Sequence, residues 1–526
     1  MSEKEFIYGH VLEALSGGLY PNKLDVIREY LQNSYDEIVD YVRKADTSAE
    51  RARRSSRSKV VVSVKGGSFF IHDNCKGMDF QTLNEYRKIG FSRKPFGEYA
   101  GWRGIGKAAG LAVAEKLIVT TSQGLGQTFQ LVFDAKEMTQ EVHDLRALGK
   151  NIPFGMLIEK HSQIKTFEEG NESFTTVELH KIRDEAKKLL DRNQIIAHLS
   201  NIAPVPFDPK FKYAHGIQKQ LQMVMEDYVP LNLYFDDVQI FKPFLETWTT
   251  DEGTTRIDPP DFVSVYDEEG ENIIAFCWYC MHSDKGRIKF SIPVNGVPVN
   301  VSGPVYRLRD IKIGDSDLVK TTLFTTTPQR SVWAVGEIHV LDESVEPTSD
   351  RNDFLDNHAR YMLYKRCRII AQEISRKADV LSQETKAKTE IEKADERIQV
   401  ISSAVAAKTI SKAIIPAYIY EATALKKEAE KRKPKTPEAE LREKADNIIK
   451  TADSLVKQLT NSLAKPDVPE NRVHKDIMEE LGIDEQGRAV YSTVIATLQD
   501  YYANEPETLE ELIRRIERAL LENLSS

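Results

Sequence analysis

Two stretches of this sequence hold residue types suited to phosphate chemistry. Residues 97–110 (GEYAGWRGIGKAAG) are dense in glycine, which lets backbone amides approach an anion closely. Residues 28–36 (REYLQNSYD) place Glu29, Asn33 and Asp36 at i, i+4 and i+7, so on a helix all three project from one stripe about two turns long. A carboxylate can polarise a water and an uncharged amide oxygen can join the shell of a hard cation, so the stripe could serve hydrolysis. An ordinary solvated polar face would carry the same trio.

Three signatures overlay the glycine stretch. Gly101-x-x-x-x-Gly106-Lys107 is a P-loop without its final Ser or Thr, and Gly104-x-Gly106-x-x-Ala109 is the dinucleotide fingerprint in its Ala-ended form. A P-loop must follow a buried strand and needs a hydroxyl after its Lys to ligate Mg²⁺. Residues 93–100 (RKPFGEYA) hold a proline and three charges instead, and Ala108 has no hydroxyl. The dinucleotide reading fails on the same missing strand, and no acidic residue ends the next strand near Thr121. What remains is a phosphate lid of neither class, which depends on residues far upstream.

The elements that would position these residues can be read from periodicity. Ile27, Leu31, Ile38 and Val42 recur at helical spacing and predict a long amphipathic helix from Leu24 to Val42. Residues 43–59 follow as a polar run with seven cations (Arg43, Lys44, Arg51, Arg53, Arg54, Arg57, Lys59) against Asp46 and Glu50. That run predicts an exposed loop, either a solvated insertion or a surface for nucleic-acid phosphates. Residues 59–65 (KVVVSVK) and 68–72 (SFFIH) flank Gly66-Gly67 as a hairpin, and residues 73–78 (DNCKGM) close its second strand. Beyond the glycines, 108–115 is helix-like, and 116–121, 127–133, 155–160 and 175–180 are strand-like, which predicts helices on an antiparallel sheet.

Taken in order, these motifs resemble those of the GHKL ATPase superfamily. Its members include gyrase B, the MutL repair proteins, histidine kinases, the ninety-kilodalton heat-shock chaperones and the microrchidia ATPases, and order and spacing here are most similar to the last two. The pattern E-x-x-x-N-x-x-D matches Glu29, Asn33 and Asp36; D-x-G-x-G matches Asp73 and Gly77, with Cys75 at its first glycine. The closing glycines of the lid match Gly101, Gly104 and Gly106, and T-x-V-x-L matches Thr175, Val177 and Leu179. The resemblance implies a Bergerat-type sandwich that binds ATP with Mg²⁺ and hydrolyses it slowly. It implies that Glu29 polarises the attacking water, that Asn33 ligates Mg²⁺, and that Asp73 accepts a hydrogen bond from the adenine amino group. Asp36, Met78 and Thr175 would belong to the nucleotide site, and the amides around Gly101, Gly104, Ile105 and Gly106 would hold the phosphates. A helix starting near Lys107 would point its positive end at them. Residues 79–100 would form the lid, with Ser92 and Lys94 as further contacts; Arg103 and Lys107 are phosphate contacts or solvated surface cations. Cys75 would weaken binding if its backbone must adopt positive φ or approach the adenine closely.

Downstream, Pro204, Pro206 and Pro209 mark a boundary, so the ATP-binding domain would span residues 1–183 and a second, transducer-type α/β domain residues 184–370. Residues 337–354 (EIHVLDESVEPTSDRNDF) are similar to the chaperones' middle-domain loop that brings an arginine to the γ-phosphate. The resemblance gives Arg351 that role, with pairing to Asp350 or Asp353 as the alternative and Arg330 as a second candidate. Cys277 and Cys280 lie on one strand, residues 273–281, where residues three apart face opposite sides; with no second ligand pair, no zinc site is expected. In residues 371–465, Ile391 to Val405 and Leu441 to Leu463 keep 3-4 spacing on either side of Pro434 and Pro437, which predicts a coiled-coil-like hairpin of two long helices. Residues 466–526 would be a small helical unit.

The bulk properties narrow the class. A net charge of −9 in 526 residues argues against a globally basic nucleic-acid binder, and four scattered cysteines supply no disulfide framework. No apolar run approaches the roughly 20 residues of a membrane span, so no membrane association is expected. The N-terminal MSEKEFIYGH has early acidic residues and no apolar stretch, which predicts no targeting peptide and a cytoplasmic protein. The expectation is therefore an α+β ATPase whose lid closure and domain docking gate homodimerisation. It would be a chaperone-like or microrchidia-like motor acting on a protein client or on DNA; the alternatives are a DNA-associated MutL-like clamp and a non-hydrolysing nucleotide-gated scaffold.

Overall fold

The computed structural model describes residues 8–9, 20–92, 104–225, 228–250, 253–282, 291–407, 410–463, 490–491, 493–495, 497–498, 502 and 511–516. It divides into two compact units, Met1–Ala378 and Asp379–Ser526.

In the first unit, helix α1 (Asp25–Arg43) buries Ile27, Tyr30, Leu31, Ile38 and Val42 along one face. Asp25 in its first turn and Arg43 in its last complement the helix dipole. The polar run expected as a loop contains helix α2 (Ser48–Arg57) instead. Thr47 caps it by accepting from the Glu50 N–H at 3.1 Å, and the Glu50 carboxylate receives Arg53 at 2.8 Å and Arg54 at 3.0 Å. No residue of α2 is buried, so it is built from a cap and short-range ion pairs and leaves no apolar period to detect.

Strands β1 (Val60–Lys65) and β2 (Ser68–Asp73) form the expected hairpin, with Val60 opposite Asp73 and Lys65 opposite Ser68. Gly66 and Gly67 turn it at φ of 60° and 79°. Then follow α3 (Phe80–Tyr86), a 3-10 helix (Gly106–Ala112), β3 (Ala114–Gln123), β4 (Thr128–Asp134), α4 (Ala135–Ala147), α5 (Phe154–Lys160), β5 (Ser162–Phe167) and β6 (Ser173–Ile182). The segment 155–160, expected as a strand, is α5: a short apolar run fits either period, and only Leu157 and Ile158 of it are buried. After α6 (Arg192–Ile202) and α7 (Ala214–Val224), β7 (Leu233–Phe235) and β8 (Val238–Gln239) join the same sheet. Its order is β5-β4-β3-β6-β2-β1-β7-β8, antiparallel except where β7 runs parallel to β1. This sheet therefore draws on chain well past residue 183. Phe69, Ile71, Leu117, Val119, Leu131 and Leu179 form its buried face against α1 and the 3-10 helix. Each such side chain contributes about 1.5–3 kcal/mol of burial.

The rest of the unit begins with the hairpin β9 (Thr247–Thr250) and β10 (Gly253–Arg256). Next come β11 (Asp261–Tyr266), β12 (Ile273–Met281), the hairpin β13 (Ser291–Val294) and β14 (Val297–Asn300), β15 (Gly303–Leu308), β16 (Ile311–Ile313), α8 (Ser316–Thr322) and β17 (Ala334–Val340). The second sheet has the order β11-β12-β17-β15-β16. From Ile274 on, β12 is buried along its whole length, as expected for a strand covered on both faces, and Cys277 and Cys280 are free thiols within it.

At the heart of this second sheet lies a charged cluster. The Lys242 ammonium donates to Asp310 Oδ1 at 2.7 Å and to Glu337 Oε2 at 2.9 Å. Arg307 pairs with Glu337 and also donates to the carbonyls of Asn201 and Ala203 at the end of α6, at 3.1 and 3.2 Å. Asp310, Glu337 and His339 lie close enough to hold a metal, but two cations already balance the two carboxylates. Burial alone would raise the Glu337 carboxyl; Arg307 and Lys242 outweigh it and hold that group well below the usual carboxylate range.

Helix α9 (His358–Ala406) runs from the first unit into the second. There it packs with α10 (Ile415–Arg432) and α11 (Ala439–Leu463) around Ile391, Ile398, Ile401, Ile448 and Leu455. The expected two-helix hairpin thus has a third helix inside it. Of α10, Ile415, Ala422 and Ala429 are buried in this core, with Tyr418, Ile419 and Leu425 partly buried against it, and fully buried positions that are mostly alanine give a faint signal. Most of residues 466–526 lie outside the described residues. No helix among the described residues is long and apolar enough to cross a membrane.

Lys242→Met should cost about 3–5 kcal/mol, because it leaves two buried carboxylates short of a cation. Urea unfolding measures this; a loss under about 1 kcal/mol would show that the ammonium is not the counter-charge the cluster depends on.

Candidate functional site

Helix α1, the segment after β2 and the glycine stretch enclose a cavity of about 620 Å³. Glu29 and Asn33 line it from the helix, with Ser34 one residue on. Asp36 is buried but is not part of the wall; Glu37 and Asp40 are. At about 100° per residue, Asp36 lies some 20° beyond Glu29 on the side away from Asn33, so the i+7 position turns toward the protein interior.

Asp73 ends β2 at the floor of the cavity. Its Oδ2 accepts from the Ser34 hydroxyl at 2.7 Å and its Oδ1 from the Cys75 N–H at 3.1 Å. Burial raises its carboxyl above the usual range, while these two hydrogen bonds oppose the rise. Across the sheet, Thr175 is its partner on β6. The Thr121 hydroxyl donates to the Phe174 carbonyl at 2.9 Å, accepts from the Met78 N–H at 2.9 Å and meets the Thr175 hydroxyl at 3.1 Å, tying three segments together at the cavity edge.

Gly77 has φ of 69°, and a β-carbon there would stand 1.9 Å from the Ser122 carbonyl oxygen, so both the turn and the close approach demand glycine. Cys75 makes no such demand: it is not among the described residues with positive φ, and its thiol packs 4.0 Å from the Ser34 carbonyl oxygen. The backbone angle that would make cysteine unfavourable here is therefore not required.

The glycine stretch meets α1 directly. A β-carbon on Gly106 would lie 2.0 Å from Glu29 Oε2, so the backbone occupies the space beside that carboxylate. The Tyr30 hydroxyl accepts from the Gly110 N–H at 2.6 Å and donates to the Lys107 carbonyl at 3.4 Å, anchoring the segment to the helix. Residues 106–112 form one 3-10 helix rather than the expected helix over 108–115, and β3 begins at Ala114. The segments before and after residues 93–103 are joined, since the Gly90 N–H donates to the Gly104 carbonyl at 3.0 Å and Lys107 Nζ donates to the Phe91 carbonyl at 2.8 Å. Burial lowers the Lys107 ammonium to about 8, with Glu85 opposing. Ser92, Gly104 and Ile105 line the cavity, whereas Lys94, Gly101 and Arg103 lie outside the described residues.

Arg351 reaches the same cavity from the loop after β17. Its Nε is 3.9 Å from Glu29 Oε1, and its Nη2 donates to the Gln32 side-chain oxygen. The alternative acceptors are otherwise engaged: Asp350 receives Thr348 at 2.6 Å and Asn352 at 3.0 Å, and Asp353 receives Tyr364 and, at 3.3 Å, Arg360. Arg351 adopts φ of 56°, a strained value for a side-chain-bearing residue, and its carbonyl is held by the Gly314 N–H at 2.8 Å. Arg330 packs over the Trp333 ring and is not part of the cavity wall. Ser34, Tyr30, Gln32 and Thr121 escape sequence reasoning, because a Ser, Tyr, Gln or Thr inside a regular element carries no motif of its own.

A cavity of this size with a buried acceptor at one end, glycine backbone beside a carboxylate, an amide side chain and three cations has the shape and donor set of a nucleotide site. Fold and cavity together define a nucleotide-binding α+β sandwich. Residues 24–150 match the family described as histidine kinase-, DNA gyrase B-, and HSP90-like ATPase. This part of the chain is therefore a GHKL-type ATPase domain, a fold that binds ATP; Thr175 and Arg351 lie outside the matched span. No curated protein matches the chain.

Proposed function

We propose that this protein binds ATP with Mg²⁺ in the cavity and hydrolyses it, with Glu29 as the residue that activates water. The observation that carries this reading is the position of Glu29 between the Gly106 backbone and the Arg351 guanidinium. Asp73, fixed by Ser34 and the Cys75 N–H, accepts from the adenine amino group. A base lacking that donor would leave a buried acceptor unpaired. The Asn33 amide oxygen would hold Mg²⁺, which when bound offsets the negative charge of the triphosphate. The amides of residues 104–106 and the Lys107 ammonium hold phosphate oxygens. Glu29 orients a water for attack on the terminal phosphorus and takes up its proton as the bond to the ADP oxygen breaks. Arg351 stabilises the charge that develops on the transferred group. Because it arrives from a loop more than three hundred residues downstream, docking of that loop and hydrolysis are coupled. The cycle of lid closure and docking drives dimerisation of two chains, in the manner of a chaperone-like or microrchidia-like motor.

Three outcomes test this reading. Glu29→Ala should lower turnover at least about 100-fold with ATP binding retained, whereas Asp73→Asn should weaken binding itself. Titration with a fluorescent ATP analogue and phosphate release separate the two effects, and normal turnover in the Glu29 variant would refute the assignment. The Lys107 ammonium is charged below its value of about 8 and neutral above it, so its contribution to phosphate binding is present at pH 7 and lost as pH rises. ATP should bind about tenfold more weakly at pH 9 than at pH 7, and Lys107→Met should flatten that profile. Solution mass should double with a non-hydrolysable ATP analogue; an unchanged mass would remove ATP-gated dimerisation.

A further inference from the structure

Arg351 is not delivered to the cavity by its own loop alone. Helix α1 grips that loop at two successive residues, with side chains one turn apart. Arg28 Nη2 donates to the Asp350 carbonyl at 3.0 Å, and Gln32 Oε1 accepts from Arg351 Nη2. Both side chains are buried, Gln32 completely and Arg28 to 5% exposure. On the helical wheel they lie on the opposite side of Glu29 from Asn33, so one helix offers its cavity face to the nucleotide and its flank to the arginine loop.

We infer that Gln32 is a positioning residue that sets the Arg351 guanidinium for the hydrolysis proposed above, an inference that rests on that reading. Its chemistry suits the task. A carboxylate at this position would pair with the guanidinium and, with Glu29 already 3.9 Å from it, would leave the site net negative toward an incoming triphosphate. An apolar side chain would take this acceptor away from the guanidinium. The neutral amide oxygen fixes the direction of the cation while leaving its charge for phosphate. A purely structural glutamine would be expected to satisfy both ends of its amide, yet Gln32 Nε2 is buried without a hydrogen-bond partner among the described residues. The contact to Arg351 is thus the feature that rewards an amide here, and an apolar group of equal length would remove that acceptor together with the orphaned donor.

The test is a double-mutant cycle on full-length protein with Gln32→Met and Arg351→Ala, following kcat, KM for ATP and thermal unfolding. Gln32→Met should lower kcat about tenfold or more with KM within about twofold, while thermal unfolding shows the variant still folded at the assay temperature. Added to Arg351→Ala, it should lower kcat by less than about twofold further, because the group it positions is gone. Gln32→Glu should also lower kcat, since it keeps the grip and cancels the charge. Full additivity in the cycle, or wild-type kcat in Gln32→Met, would overturn the inference while leaving the hydrolytic reading intact. Absence of turnover in the wild-type protein would overturn that reading and this inference with it.

Discussion

The contact between the Glu29 carboxylate and the backbone of Gly106 constrains everything around it. A β-carbon at residue 106 would meet the Glu29 carboxylate at 2.0 Å, so a side chain there would displace that group from its place beside the glycine stretch, which Tyr30 pins to α1 through the Gly110 N–H and the Lys107 carbonyl. Once that is fixed, the helix has a defined rotation about its axis: Asn33 and Ser34 face the cavity, Arg28 and Gln32 face the arginine loop, and the apolar residues face the sheet. A helix can meet three different surfaces only because 3.6 residues per turn spread neighbouring positions around it. The cost is that α1 has little polar surface left to spare, and Glu29, Gln32, Ser34 and Asp36 are all buried.

The same packing explains which parts were legible in the sequence. The first helix and the β1–β2 hairpin follow from periods of 3.6 and 2 because their faces are cleanly divided between core and exterior. Glu29, Asn33, Asp73 and Gly77 were found because each belongs to a spaced pattern whose members converge on one cavity. Helix α2 escapes the sequence reading because its stabilisation is a cap and a shared glutamate, and α10 because two of its three residues buried in the core are alanine. Segment 155–160 is helix rather than the expected strand, because three apolar residues in a short run do not distinguish the two. Asp36 fits its pattern yet faces inward, since a match in spacing leaves open which way the cavity turns.

Cys75 illustrates how a departure from a pattern should be weighed. A glycine in a motif can be required for its backbone angle, for close approach, or for neither. Gly77 needs both, whereas Cys75, two residues away, lacks the positive φ that would call for glycine. Buried charge shows the same contrast between appearance and physics in the second sheet. Asp310, Glu337 and His339 are arranged as metal ligands might be, yet Lys242 and Arg307 complete the charge balance, and Arg307 uses its remaining donors to bind the end of α6. The ionic core of the second sheet is in this way also the tie to the helices that follow the first.

Strand β7 runs parallel to β1 and covers one side of it, although residues 233–235 are made long after residues 60–62. As the polypeptide leaves the ribosome, the first six strands can pair among themselves while the outer edge of β1 stays open until the later segment arrives. An open edge is a template for pairing with another nascent chain, so this interval is when the protein is most vulnerable to aggregation during synthesis.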